Sequence, residues 1–354
     1  MISLHIDHMN TSKVLLWFTC TFLRTKKLET KEIQTKMGSE APFQLPIVDF
    51  SELYKQDSDN LIWDSAKIKA LQALQEYGCF EATFAQISPD LQESVFNELE
   101  HLFDLPLETK KRNTSDRDFH GYIGEIPFMP LYESMGIDAP YIPEKVDKFT
   151  SLMWPQGNPK FSKSIQTYSK KLWELDEMVK MMVFEGLDLE KYLDQHLEAT
   201  NYHLKVMKYR AADPSESTMG LDSHADTSIL TILHQNGIQG LEIRTKCGDW
   251  VTVNVSPNSF VVMVGESFNV LSNGRLHAPF HRVVMNSSKT RFSVGLFSLP
   301  KIGCIVKPPK EMVDDEHPLL FKPFDYGEFM EYFCMSGVKK DTYGLKNYCG
   351  VSNS

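Results

Sequence analysis

At 354 residues, 42% hydrophobic and 24% charged, the chain is long enough to bury a full core, and its ordinary globular composition argues against disordered, collagen-like and membrane classes. A formal net charge of −10 sets it against the basic surfaces that nucleic acid and anionic lipid attract, so no nucleic-acid or membrane partner is expected and a small molecule is. The six cysteines, Cys20, Cys79, Cys247, Cys304, Cys334 and Cys349, contain no C-x-x-C pair and no short regular spacing, which suits free thiols in a reducing, cytoplasmic setting better than a zinc site or disulfide framework.

Residues 1–36 stand apart. The apolar run Val14 to Leu23 is ten residues long, far short of the roughly 20 that a spanning helix needs. Arg24-Thr-Lys-Lys27 follows it where a signal peptide would carry small residues and a cleavage site. With six Lys or Arg against three acids, this stretch is expected to be a disordered leader or extension, with Met37 as the effective start.

Residues 37–200 read as a helix-rich region. Leu45 to Phe50 is expected to form a short strand, Ile62 to Tyr77 a helix, and Cys79 to Phe84 a second strand. Ser88 is a plausible N-cap with Pro89 at the first helical position, and Leu91, Val95, Leu99 and Leu102 give that helix its apolar stripe. The Gly-, Pro- and aromatic-rich stretch from Arg117 to Pro143 lacks a sustained period and is expected to be an ordered loop. From Lys160 to Gly186 the helical spacing returns through Ile165, Tyr168, Leu172, Leu175 and Val179. Between His203 and Leu299 the texture changes to short β-rich runs, at Leu204–Tyr209, Ile229–Leu233, Leu241–Arg244, Trp250–Val255, Phe260–Val264, His281–Met285 and Arg291–Phe297. Residues 201–300 therefore read as a β core, a closed sandwich or barrel, and the fold as mainly β with flanking helices. Residues 301–354 are expected to add a helical segment near Asp325 to Cys334 and a tail.

Inside the β core stands His224-Ala-Asp226, with His281 fifty-five positions later and Arg291-Phe-Ser293 ten beyond that. In a strand, residues i and i+2 share a face, so His224 and Asp226 can offer an imidazole nitrogen and a carboxylate oxygen to one ion. Two imidazoles and one carboxylate on one side of an octahedral ion leave the other side open, which suits non-haem iron(II) handling oxygen and a chelating co-substrate. His-x-Asp alone is a weak signal among eleven histidines; the weight lies in its joint order with His281 and Arg-x-Ser. His277 stays open as an alternative third ligand, although it sits in a Gly/Pro turn. His203 and His234 read as strand-edge or supporting residues, and Arg275 as a turn residue with a structural ion pair.

The stretches Leu45-Pro-Ile-Val-Asp-Phe50, Tyr77-Gly-Cys-Phe80, Leu105-Pro-Leu-Glu-Thr-Lys110, Ser272-Asn-Gly-Arg275 and Leu319-Leu-Phe-Lys-Pro-Phe324, together with the site motifs, resemble the plant 2-oxoglutarate/iron(II)-dependent dioxygenases over roughly residues 43 to 350. The likeness is greatest to the branch with glucosinolate side-chain dioxygenases and deoxypodophyllotoxin synthase. The resemblance implies a double-stranded β-helix (jelly roll) core and an enzyme that oxidises a C–H bond of a small plant metabolite while releasing succinate and CO2. It places the iron triad on His224, Asp226 and His281, and the 2-oxoglutarate site on Arg291, Ser293 and Tyr209, the guanidinium forking onto a carboxylate. Oxygen is the second co-substrate, ascorbate a supporting reductant, and the expected state is a monomer. The chain departs from the family at Phe84-Ala-Gln-Ile87 and at Tyr209-Arg-Ala-Ala-Asp-Pro214, which touches subfamily and loop shape rather than ligands. Phe128, Met129, Trp154 and Phe297 are substrate-pocket candidates. Two rival readings remain at this level: a same-fold oxidase that does not use 2-oxoglutarate, and a jelly-roll binding protein without turnover.

Overall fold

The computed structural model describes residues 43–53, 60–336 and 341–351; the expectations for residues 1–36 lie outside them. Four helices dominate the first half: α1 (Asn60–Glu76), α2 (Pro89–Phe103), α3 (Pro143–Met153) and α4 (Pro159–Gly186). Their starts are written locally. The Ser88 hydroxyl accepts from the Leu91 N–H at 3.3 Å and Pro89 opens α2, while Asn158 Oδ1 accepts from the Phe161 N–H at 3.0 Å to open α4, each satisfying an N–H that the first turn leaves orphaned. Along α4, Phe161, Ile165, Tyr168, Leu172, Leu175 and Val179 recur at three and four and are all buried, one apolar stripe facing the core.

The strands are β1 (Ile47–Asp49), β2 (Cys79–Thr83), β3 (Tyr132–Asp138), β4 (Thr200–Tyr209), β5 (Met219–His224), β6 (Leu230–Gln235), β7 (Leu241–Arg244), β8 (Trp250–Thr252), β9 (Ser259–Val264), β10 (His281–Val284) and β11 (Arg291–Pro300). They form a large sheet in the order β1-β2-β9-β6-β11-β4-β3 and a small one in the order β5-β10-β7-β8. Alternation along each strand sorts the side chains of the large sheet onto two faces. Leu204, Val206, Ile232, Val262, Val294 and Leu296 join the helices in one core. Met207, Tyr209, Leu233, Val261 and Met263 face Leu241, Ile243 and Val283 of the small sheet in a second. With both faces covered, the central strands read as nearly unbroken apolar runs, which is why they were visible in the sequence.

Three expectations need correction. Among the described residues helix outweighs strand, because the helices blanket a whole face of the large sheet, so the fold is not mainly β. The sheets do not close into a barrel: β1 and β3 end one, β5 and β8 the other. The stretch expected as a loop before Pro143 contains β3, which pairs with β4 from Tyr132↔Tyr209 to Asp138↔His203; its glycine and polar content hid the strand.

Candidate active site

Strands β5 and β10 run antiparallel with His224 directly opposite His281, which brings two imidazoles from distant positions to a centroid separation of 4.2 Å. β5 ends at His224, so Asp226 is not on the same strand, as the i, i+2 argument supposed; it projects from the turn after it. The Thr231 hydroxyl donates to Asp226 Oδ2 at 2.6 Å. That leaves Oδ1 facing His224 Nε2 at 3.6 Å and His281 Nε2 at 3.7 Å. On each ring the other nitrogen, Nδ1, is turned to a backbone carbonyl, that of Asp222 at 2.8 Å and that of Pro279 at 3.3 Å. A proton held at Nδ1 leaves the Nε2 lone pair free for a metal.

The three donor atoms lie within 4.8 Å of one another. Adjacent ligands of an octahedral ion with bonds of about 2.1 Å stand roughly 3 Å apart, so the carboxylate oxygen, at 3.6 and 3.7 Å from the two Nε2 atoms, is close to the spacing that sharing an ion requires. Burial pushes the His224 imidazole down to about 4, with His281 adding to the shift, and a neutral imidazole is the ligand form. The donor chemistry, two imidazoles and one carboxylate, fits iron(II). Among the described residues His277 belongs to no such group.

A second cluster, His120, Asp138 and His203, also satisfies the distance criterion for a metal. Its geometry differs. Asp138 Oδ1 accepts from His120 Nδ1 at 2.6 Å and from His203 Nδ1 at 2.9 Å, so the donor atoms are already joined by protons. Burial opposes ionisation of Asp138, yet hydrogen bonds from the two imidazoles hold its carboxyl well below the usual carboxylate range. The first set is open where the second is closed.

Arg291 begins β11 opposite Tyr209 of β4 and is 0% exposed. Its Nε and Nη2 donate to Gln235 Oε1 at 3.1 and 2.9 Å, its Nη1 to Ser293 Oγ at 3.2 Å, and its Cζ sits 5.0 Å from the Tyr209 ring centroid. Among the described residues no carboxylate pairs with it. A buried cation held only by neutral groups is costly unless an anion joins it, and burial accordingly lowers the Arg291 pKa. Tyr209, whose own pKa burial raises against the pull of Arg291, supplies a hydroxyl beside it. The arrangement is a cradle for a carboxylate.

Both groups open onto one cavity of about 230 Å³ between the sheets, of a size for small molecules rather than a polymer. Of the pocket candidates, Met129 and Phe297 line it. Phe128 and Trp154 do not: Phe128 packs beside the inter-sheet core, and Trp154 lies in the helical core with its ring 4.9 Å from that of Phe161, an inward aromatic serving packing alone. His203, expected in a supporting role, lines the cavity, whereas His234 points to the helical side, where Nδ1 meets the Tyr168 hydroxyl at 2.8 Å. Arg275 makes the expected structural contacts, with Asp314 at 3.8 Å and the Met312 carbonyl at 2.7 Å. Sequence reasoning missed Thr231 and Gln235, which orient Asp226 and Arg291; their signal, a polar residue at alternate positions of an apolar strand, has meaning only once β6 is known to lie beside β11. At the rim, Phe119 has φ 67, a conformation rare for a bulky residue and one that clusters at functional sites.

Comparison with known proteins agrees with this geometry. Residues 196–300 match the 2OG-Fe(II) oxygenase superfamily, and residues 45–126 match the non-haem dioxygenase in morphine synthesis N-terminal family. An Arabidopsis thaliana protein named "probable 2-oxoglutarate-dependent dioxygenase AOP1.2" is 47% identical over 82% of this chain and 91% of its own length. Among solved structures, the dioxygenase for auxin oxidation of rice is similar with a TM-score of 0.73 at 26% identity, covering 87% of this chain and all of that one. The Arabidopsis thaliana counterpart with 2-oxoglutarate bound gives 0.71 at 25% identity, covering 77% of this chain and 99% of that one.

Proposed function

The chain belongs to the 2OG-Fe(II) oxygenase superfamily, and from that premise we propose how its own residues carry out the family's chemistry. It is an oxidoreductase that uses iron(II), 2-oxoglutarate and oxygen to act on a small metabolite. His224 and His281 hold the iron through Nε2 and Asp226 holds it through Oδ1. Arg291 forks onto the distal carboxylate of 2-oxoglutarate, with Ser293 and Tyr209 adding hydroxyl contacts. Bound iron supplies the redox chemistry that couples oxidative decarboxylation of 2-oxoglutarate to oxidation of a substrate C–H bond.

The residues around the centre do the positioning. Thr231 fixes which carboxylate oxygen of Asp226 faces the ion, and Gln235 aims the guanidinium. Ile123, Met129, Leu221, Leu241 and Val283 wall the cavity with apolar groups, so water is kept from the reacting centre. The two sheets face one another as an open form of the double-stranded β-helix. The position of the substrate carbon relative to the metal selects hydroxylation, demethylation, desaturation or ring closure. The enzyme works as a monomer in the cytoplasm without nucleic acid, with ascorbate in support; no helix among the described residues is long and apolar enough to cross a membrane.

The observation that carries this reading is the buried Arg291, which no carboxylate of the described residues pairs with, on the same cavity as a convergent His, Asp, His set. A same-fold oxidase without 2-oxoglutarate would need some other anion to meet that buried charge. The test is to incubate the purified chain with a plant extract and follow succinate release with and without 2-oxoglutarate. Turnover that ignores 2-oxoglutarate would overturn the reading.

A further inference from the structure

Lys205 is a cation inside the same cavity that the site above leaves unused. It lies on the inward face of β4 in the series Tyr209, Met207, Lys205, His203, all of which line the cavity. No hydrogen bond or ion pair joins its ammonium to any of the described residues. Burial lowers its pKa to about 8, only partly offset by the charge of Asp226, and its field in turn reaches His224 and His203. It therefore stands between the metal set and the His120–Asp138–His203 cluster.

The neighbouring strands carry glycines at the positions beside it. Lys205 pairs with Gly295 of β11 on one side and Gly136 of β3 on the other. A Cβ at Gly295 would meet the Phe297 ring at 2.8 Å, and one at Gly136 would meet the His203 ring at 2.3 Å. The two glycines therefore admit the Phe297 and His203 rings on either side of Lys205, and the cavity beyond is walled by Phe297, Leu299, Tyr326, Met330 and Phe333.

On the reading proposed above, both ends of 2-oxoglutarate are committed, one to Arg291 and the other to the metal. Tyr209 and Lys205 are four residues apart, roughly 13 Å along a strand, which puts Lys205 on the far side of the centre from Arg291.

We propose that Lys205 receives an anionic group of the organic substrate, so that the enzyme acts on small organic acids, carboxylates or sulfonates, with an apolar body against Phe297, Leu299, Tyr326, Met330 and Phe333. The test is calorimetric titration of the full chain, loaded with iron(II) and 2-oxoglutarate and kept free of oxygen. The probes are phenylacetate, phenylbutyrate, hexanoate and benzenesulfonate, beside the uncharged phenylacetamide, phenylbutyramide, hexanamide and benzenesulfonamide. The acids bind the wild type in preference to their amides. Lys205→Met weakens that binding on the order of tenfold to a hundredfold, the worth of a hydrogen bond to a charged group, Lys205→Arg restores most of it, and 2-oxoglutarate affinity stays unchanged in both.

Equal binding of acids and amides, no binding by any acid, or undiminished acid binding in Lys205→Met overturns the proposal. So does a loss of 2-oxoglutarate affinity in Lys205→Met as large as in Arg291→Ala, because Lys205 would then serve the co-substrate. Failure of the wild type to take up iron or 2-oxoglutarate at all would instead sink the reading of the centre itself.

Discussion

Asp226 shows how much one side chain is asked to do: Oδ2 is pinned by Thr231 and Oδ1 faces two imidazoles. Asp226→Ala should abolish both iron uptake and turnover while the chain stays folded, measured as bound iron per chain beside the far-ultraviolet spectrum. Full activity in that variant would remove Asp226 from the centre. Thr231→Val keeps shape but frees Oδ2, so iron should bind more weakly, by roughly tenfold, the worth of about one hydrogen bond to a charged group. At Arg291 the loss is selective. Arg291→Ala should raise the 2-oxoglutarate requirement far more than that for the organic substrate, and steady-state kinetics showing equal effects on both would contradict the cradle. The residue types proposed as ligands were legible in the sequence because iron chemistry limits the residues that can serve. The residues that aim them were not, since Thr and Gln in a strand carry no mark of their neighbours.

Helix α4 and the strands it covers hold the scaffold through buried polar groups as well as apolar ones. Lys180 and Asp176, one turn apart and both 0% exposed, pair at 2.6 Å, and Tyr202 of β4 donates to the same carboxylate at 2.9 Å. Burial lowers the Lys180 pKa against the pull of Asp176. Breaking such a pair strands a buried charge, so Lys180→Met should cost about 3–5 kcal/mol, and Lys180→Met with Asp176→Leu should cost less than the single change. Denaturant unfolding decides this; a double variant weaker than the single one would be the contrary result. His234 gives the same interface a pH dependence. Burial pushes its imidazole from 6.5 down to about 3, so between those values the unfolded chain binds the extra proton. Stability is therefore complete above pH 6.5 and falls on acidification through that window, by about 2 kcal/mol between pH 6.5 and 5 from this one group. His234→Gln should flatten that part of the curve, and unchanged slopes would show that other groups carry it. At this scale the sequence was informative where an element is long and periodic, as in α4, and silent at β3, whose glycine and polar residues are placed by its partner.

Across the whole molecule, the centre exists only because two sheets meet: His224, His281 and Asp226 come from one side, Arg291, Ser293, Tyr209 and Lys205 from the other. Iron and 2-oxoglutarate should therefore each stabilise the folded chain, by about 2.7 kcal/mol for a ligand at a hundredfold excess over its Kd. Arg291→Ala should keep the increment from iron and lose that from 2-oxoglutarate, as read by thermal unfolding; an increment from 2-oxoglutarate that survives would place its carboxylate elsewhere. The sequence by itself determined the chemical class, because the order of His-x-Asp, a distant His and Arg-x-Ser is written in residue types, and it determined the central strands and long helices, because burial writes a period into the chain. Only the tertiary structure decided that helix outweighs strand and the sheets stay open, that Trp154 is core while His203 and Lys205 face the cavity, and that Asp226 stands off the strand that bears His224. Those facts depend on which elements lie side by side, and a strand's register against its neighbours is set by packing between residues scores of positions apart, which no local pattern records.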